Sequence, residues 1–287
     1  MYKNESGHHK LLLVDGMNLW FQMFFGMPSR IINREGKAIQ GIMGFAGAML
    51  KIIRMTEPTH VLVVFDGEHH NPRTEIDPEY KANRPDLSDV PDEENPFIQL
   101  PDAYKVLDFM GIRCYETTVH EADDVIASYS QSLKDKAQII ICSHDSDFYQ
   151  LIDEGTSILR YRGDNSIIMD EAALMEKFGI TGSQYVDFKC LTGDHADNIR
   201  GVEGIGPKTA SRLMRDYGSL DNLLLNYQND RSNRIKVLLN IGKNRLPMNK
   251  SLITMKNDID LPMAFELLTC PELNLSTREI LQQTGLL

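Results

Sequence analysis

Nine carboxylates stand at the ends of short apolar runs or in close-spaced clusters, and their placement suggests one shared site. Asp15 closes the run Leu11-Leu-Leu-Val14, Asp66 closes Val61-Leu-Val-Val-Phe65, and Asp145 and Asp147 follow Ile139-Ile-Ile-Cys142. Glu121, Asp123 and Asp124 gather at a helix start, and Asp194 and Asp197 form a pair three residues apart, the spacing that puts two side chains on one helix face. A lone Asp after a strand is commonly a turn former or helix N-cap. Acids at a helix start commonly offset the macrodipole. Four separate sites aimed at one sheet edge are poorly explained as four independent caps, because the carboxyl ends of parallel strands converge on one crevice. Such a cluster repels itself unless protons or cations neutralise it. Oxygen ligands without His or Cys favour Mg²⁺ or Mn²⁺ over zinc. Two such ions roughly 4 Å apart activate a water and stabilise the leaving oxygen of a phosphodiester, so hydrolysis of that bond is the expected chemistry.

The elements that must position these acids are legible as alternating patterns. Residues 11–14, 61–65, 112–115, 139–142 and 157–159 read as strands, several almost uniformly apolar, as in a parallel sheet covered on both faces. Residues 41–55, 101–110 and 121–133 carry apolar side chains at helical spacing, which gives an α/β layer architecture. The proline- and acid-rich stretch 85–101 has neither period and is expected to be an exposed loop or mobile arch. From about Gly179 helices separated by glycine turns take over. The expected division is therefore 1–185, an α/β domain with an arch at about 71–101, and 186–287, a helical domain.

Composition narrows the partners. The chain has 41 Asp+Glu against 30 Lys+Arg, a net charge of −11, which excludes a uniformly basic nucleic-acid coat. The charge is polarised, however: 66–124 holds 16 acids and 5 bases, whereas 200–250 holds 10 bases and 4 acids. Within the basic part, Gly201-Val-Glu-Gly-Ile-Gly206 precedes Pro207, a sequence suited to a turn whose exposed N–H groups cradle phosphate. It resembles the hairpin of helix-hairpin-helix and helix-two-turn-helix modules, with Lys208, Arg212 and Arg215 on the helix that follows. Tyr80-Lys81-Ala-Asn-Arg84 is a second basic element, in which Tyr80 could stack on a base while Lys81 and Arg84 hold phosphates. No apolar run approaches the roughly 20 residues that span a bilayer. With no leader-like start and four cysteines far apart, a soluble, reduced, cytoplasmic monomer without a disulfide or zinc site is expected.

Asp15-Gly-Met-Asn18, Phe65-Asp-Gly67, Tyr80-Lys-Ala-Asn-Arg84, Glu121-Ala-Asp-Asp124, Asp145-Ser-Asp147 and the block from Gly193 to Gly206 occur in the order found in the 5′ nuclease, or flap endonuclease, superfamily. From about residue 10 to 240 the chain resembles its stand-alone bacteriophage and bacterial 5′ to 3′ exonucleases and the nuclease domain attached to bacterial DNA polymerase I. The resemblance implies a PIN-like, Rossmann-like sheet with a helical arch, followed by a helix-two-turn-helix domain. It implies Asp15, Asp66, Glu121, Asp123 and Asp145 around a first metal, Asp147, Asp194 and Asp197 nearer a second, and Asp124 in direct or indirect support. Lys81 and Arg84 would contact the scissile phosphate, Lys189 would touch the DNA backbone, and the carbonyls of Val202 and Ile205 would hold K⁺ against a duplex phosphate. The implied reaction is structure-specific cleavage near single-strand to double-strand junctions. The implied partners are DNA with 5′ flaps, nicks or free 5′ ends, with RNA–DNA hybrids as an alternative substrate and a non-catalytic binding protein as an alternative role. One departure is Gln22, where the family often has Arg or Lys.

Overall fold

The structure is a computed structural model describing residues 9–27, 31–68, 71–84, 90–91 and 94–287. The chain opens with β1 (His9–Asp15), whose Leu11 to Val14 are fully buried. α1 (Gly16–Gly26) follows without a loop, because the Asp15 side chain caps it by accepting from the Asn18 N–H at 3.0 Å. Gly16 is what permits so abrupt a turn, since a Cβ there would lie 2.7 Å from the Phe65 ring. The order continues with α2 (Gln40–Thr56), β2 (His60–Phe65), a short α3 (Arg73–Ile76), α4 (Pro96–Phe109), β3 (Arg113–Glu116), α5 (Ala122–Leu133), β4 (Ala137–Cys142), β5 (Thr156–Arg160), β6 (Ile167–Met169) and α6 (Glu171–Phe178).

The six strands form one sheet in the order β3-β2-β1-β4-β5-β6, parallel except for β6. Alternate residues serve opposite faces. Leu12, Val14, Val63, Phe65 and Ile140 pack under α1, α2 and α4, while Leu11, Leu13, Leu62, Val64 and Ile141 pack under α5. Each fully buried Leu contributes about 1.5–3 kcal/mol, so both faces hold the sheet.

The second part comprises α7 (Tyr185–Thr192), β7 (Gly193–Asp194), β8 (Ile199–Arg200), α8 (Pro207–Tyr217), α9 (Leu220–Asn226), α10 (Asn233–Gly242), α11 (Leu246–Ile253) and α12 (Thr277–Gln283). Leu191, Leu213, Leu239 and Leu252 belong to the same apolar core as the α5 face of the sheet, so this part is seated directly on the first. Among the described residues no helix is long and apolar enough to cross a membrane.

Part of the expected arch, 85–89 and 92–93, lies outside the described residues. The structure departs from the sequence expectation in three places. Residues 96–100, expected as loop, begin α4, and Pro101 sits inside that helix. Pro96 occupies the first turn, Asn95 caps it, and the Trp20 indole donates to the Pro96 carbonyl at 3.0 Å, so packing overrides the proline signal. β6 and the two-residue ribbon β7–β8 are too short to show a period. Finally, the tail does not remain with the helical part: Met263 N donates to Tyr129 Oη, Cys270 N donates to Thr59 O, and α12 buries Ile280 and Leu281 in the α2 layer.

Candidate metal centre

The strand ends deliver their acids to one place. Asp15 is 6% exposed and accepts from the Ser143 hydroxyl at 2.8 Å as well as from Asn18 N. Asp66, at the solvent-facing mouth, accepts from Ala122 N at 2.8 Å and so ties the end of β2 to the start of α5. That start carries Asp123, and Asp145 closes the group from the end of β4. Burial and mutual repulsion push Asp15 up to about 7, with Asp66 and Asp145 as the repelling neighbours. Asp123 is raised well above the ordinary carboxylate range by burial and then by Asp145, Asp15 and Asp66. Desolvation raises Asp66 and Asp145 too. Among the described residues, none of these four carboxylates has a Lys or Arg ion-pair partner. A divalent cation would supply that missing charge, and the all-oxygen donor set suits a hard ion.

A second group lies beside the first. One carboxylate oxygen from each of Asp147, Asp194 and Asp197 falls within 4.8 Å of the others. Asp194 and Asp197 are brought here by the β7–β8 ribbon, which exists because Gly193 and Gly201 touch back to back; a Cβ on Gly201 would lie 2.4 Å from Gly193 N. Lys189 bonds both Asp147 and Asp194. Burial and Asp145 push Asp147 up to about 7. Asp194 is held low because Lys189 outweighs its burial.

Glu121 and Asp124 face elsewhere. Glu121 accepts from Lys81, Arg73 and Asn71, and these two cations outweigh its burial and hold it low. Asp124, 2% exposed, receives the Arg73 fork at 2.7 and 3.1 Å and Lys256 N at 2.9 Å. Its carboxylate is saturated by protein donors, which corrects the expectation of direct ligation and leaves Asp124 the indirect, supporting role. Arg73, which the sequence reading missed, also donates to the Leu252 carbonyl at 3.0 Å and to that of Thr254 at 3.3 Å. Its position two residues after Asn71, at the first residue of the four-residue α3, offered no periodic signal.

The basic residues also sort differently from expectation. Tyr80 cannot stack on a base: it is 5% exposed and its hydroxyl donates to Asp197 at 3.2 Å. Lys189 is 7% exposed and is paired with Asp147 and Asp194. Lys81 bonds Glu121, and although burial opposes its charge, Glu121, Asp197 and Asp123 outweigh that and keep it protonated. The Arg84 side chain is 58% exposed and only loosely tied to Asp197 at 3.2 Å. Three hydrogen bonds to backbone carbonyls fix this segment to the second acid pair: Lys81 N donates to Asp197 O, Asn83 Nδ2 to His195 O and Asn198 Nδ2 to Glu79 O.

On α8, Lys208 and Arg215 are exposed, whereas Arg212 is engaged by Asp216 and the buried Asp230. Arg231 and Arg234, missed in the sequence, join Arg212, Thr209 and Gly204 around a cavity of about 500 Å³. In the hairpin, the side chains of Val202 and Ile205 are buried and Ile205 N donates to Val202 O at 2.9 Å. Gln22 donates to the Tyr161 carbonyl, which the His144 ring also contacts, so it links α1 to the end of β5.

A layered parallel sheet whose carboxyl edge gathers seven acids, seated on a helical part with a basic surface, defines a nuclease-like class of protein. The family model described as "5'-3' exonuclease, N-terminal resolvase-like domain" matches residues 10–179 and that described as "5'-3' exonuclease, C-terminal SAM fold" matches 180–276, so the chain belongs to the 5′–3′ exonuclease family. It is 30% identical over 267 residues to a 5′–3′ exonuclease of Aquifex aeolicus, covering 92% of this chain and 88% of that one. It is 35% identical to a DNA polymerase I of Streptococcus pneumoniae over 90% of this chain, and spans 29% of the polymerase. Among solved structures, T5 5′-exonuclease with divalent metal ions (zinc) bound shares the fold, with a TM-score of 0.72 at 22% identity over 96% of this chain and 99% of that one.

Proposed function

We propose that the chain is a structure-specific 5′ to 3′ exonuclease and flap endonuclease that hydrolyses DNA phosphodiesters near single-strand to double-strand junctions, with two Mg²⁺ or Mn²⁺ ions as cofactors. The observation that carries this is the Asp15–Asp66–Asp123–Asp145 group, whose carboxylates are raised by desolvation and mutual repulsion and have, among the described residues, no Lys or Arg ion-pair partner. Asp147, Asp194 and Asp197 would hold the second ion. The bound ions would supply an activated water and charge stabilisation at the leaving oxygen.

The chain's own residues do the rest. Arg84, exposed beside Asp197, takes a phosphate oxygen, and Lys81, held protonated by its carboxylate neighbours, balances charge as it develops. The bonds from 79–83 to 195–198 make this foot and the second acid pair one rigid piece. Asn18 and Ser143 aim Asp15 from opposite sides. Lys208, Arg215, Arg231 and Arg234 grip the duplex through phosphates, which positions the cut without reading bases. Val202 and Ile205 remain the candidate carbonyls for K⁺. The T5 flap endonuclease, solved in a complex with DNA and metal ions at 21% identity, is consistent with a DNA substrate. A cytoplasmic monomer is part of this reading.

The test is cleavage of a 5′-labelled flap and a nicked duplex with Mg²⁺, with Ca²⁺ and with EDTA, alongside Asp145→Asn. Cutting should require Mg²⁺ and fall by about a hundredfold or more in the variant. Cutting that survives EDTA, or a variant at the parental rate, would sink the proposal.

A further inference from the structure

The two halves of the carboxylate centre differ in one respect that matters for ions. The Asp15–Asp66–Asp123–Asp145 half has no ammonium or guanidinium bonded to it among the described residues, whereas the Asp147–Asp194–Asp197 half is built around one. Lys189 Nζ lies 2.9 Å from Asp147 Oδ1, bonds Asp194 Oδ2 and stands 3.5 Å from the Ser146 hydroxyl. Its side chain is 9% exposed and comes from α7, whose Tyr185, Phe188, Cys190 and Leu191 are buried on either side of it in sequence. The packed α7 therefore holds the ammonium among these carboxylates, away from bulk water. Any ion held by Asp147 and Asp194 must share their charge with a fixed positive neighbour, and like charges so close oppose one another.

We infer that Lys189 is an internal cation of the centre, a positioning residue that holds Asp147 and Asp194 together before an ion arrives and weakens that half for a divalent cation. The two halves then fill in sequence, the Asp15–Asp66–Asp123–Asp145 half at low ion concentration and the Asp147–Asp194–Asp197 half only at higher concentration. Lys81, bonded to Glu121, faces Asp66 and Asp123 of the first half as well as Asp197 of the second and so does not distinguish them, and Arg84 is mostly exposed and can turn toward a phosphate, so neither imposes the same fixed repulsion on this half alone. The inference rests on the metal-centre reading above.

Mn²⁺ is the probe, titrated calorimetrically and by electron paramagnetic resonance into the full chain without nucleic acid, for the parent, Lys189→Met, Lys189→Gln and Lys189→Arg. The parent should show a tight and a weak class of site. Lys189→Met and Lys189→Gln should tighten the weak class by about tenfold or more while leaving the tight class within about twofold. Lys189→Arg, which keeps the charge, should leave the weak class weak. A gain in affinity cannot come from damaged folding, and the rise in melting temperature with Mn²⁺ provides a second readout, expected to be larger for Lys189→Gln than for the parent. An unchanged or weaker second class in both neutral variants, with the parent still binding two ions, overturns the role of Lys189 alone. A parent that takes up no Mn²⁺ overturns this inference and the metal reading together.

Discussion

Replacing Arg73 with Met tests how the base of the arch is tied to the rest of the molecule. Arg73 is 8% exposed, and its guanidinium donates to Glu121, to the Asp124 carboxylate at 2.7 and 3.1 Å, and to the carbonyls of Leu252 at 3.0 Å and Thr254 at 3.3 Å. Glu121 keeps Lys81 and Asn71 as partners after the change, but Asp124, 2% exposed, keeps only Lys256 N at 2.9 Å. Breaking a buried pair from one side leaves a nearly uncompensated charge and costs about 3–5 kcal/mol. At about 2–4 °C per kcal/mol for a chain of this size, the melting temperature should drop by roughly 6–20 °C. Circular dichroism melts and urea titrations would measure it. The double variant Arg73→Met/Asp124→Asn removes the stranded charge and should recover about 1–3 kcal/mol relative to Arg73→Met. A loss below about 1 kcal/mol for Arg73→Met, or strict additivity in the cycle, would refute the view that Arg73 neutralises Asp124.

Four further outcomes are expected. In EDTA, stability should fall as pH rises from about 5 to 8, because Asp15 and Asp147 are moved from an ordinary 3.8 to about 7, so the folded state binds more protons than the unfolded one in that window and loses the benefit as they leave. Mg²⁺ should restore stability at pH 8 far more than at pH 5; melts showing the opposite slope would exclude a proton-neutralised centre. Gly67→Ala should destabilise by at least about 1–3 kcal/mol in urea titrations, since the new Cβ would stand 2.0 Å from the Thr117 carbonyl oxygen. Lys208→Ala with Arg215→Ala should lower the salt dependence of duplex binding by about two ions' worth, measured by anisotropy. Arg212→Ala should instead act mainly on stability, because Arg212 serves the buried Asp230.

The strand-end acids could be read in advance because a parallel sheet covered on both faces writes itself as uniform apolar runs, and the residue after each run must lie at the carboxyl edge. Asp15 and Asp66 follow from that rule alone, as do β1, β2 and β4, and Asp145 lies in the turn that leaves the third such run. α4 was legible only in part, since Pro96 and Pro101 signal a break that the Trp20 bond and burial against α1 and α2 override. The order of the sheet, with β1 between β2 and β4, has no local signature at all.

What the sequence determined by itself was the class of chemistry and its scaffold: acids at strand ends, a glycine hairpin, and a chain polarised between acidic and basic parts. Only the tertiary structure decided which acids work together. Asp123 and Asp124 are neighbours in sequence, yet Asp123 turns into the repelling group while Asp124 is neutralised by Arg73 from 51 residues away. Lys189 and Tyr80, whose types suit DNA contacts, are buried among carboxylates instead. The physical reason is that a side chain's charge state and reach depend on what desolvates and pairs it, and those partners arrive from distant elements that local sequence does not specify.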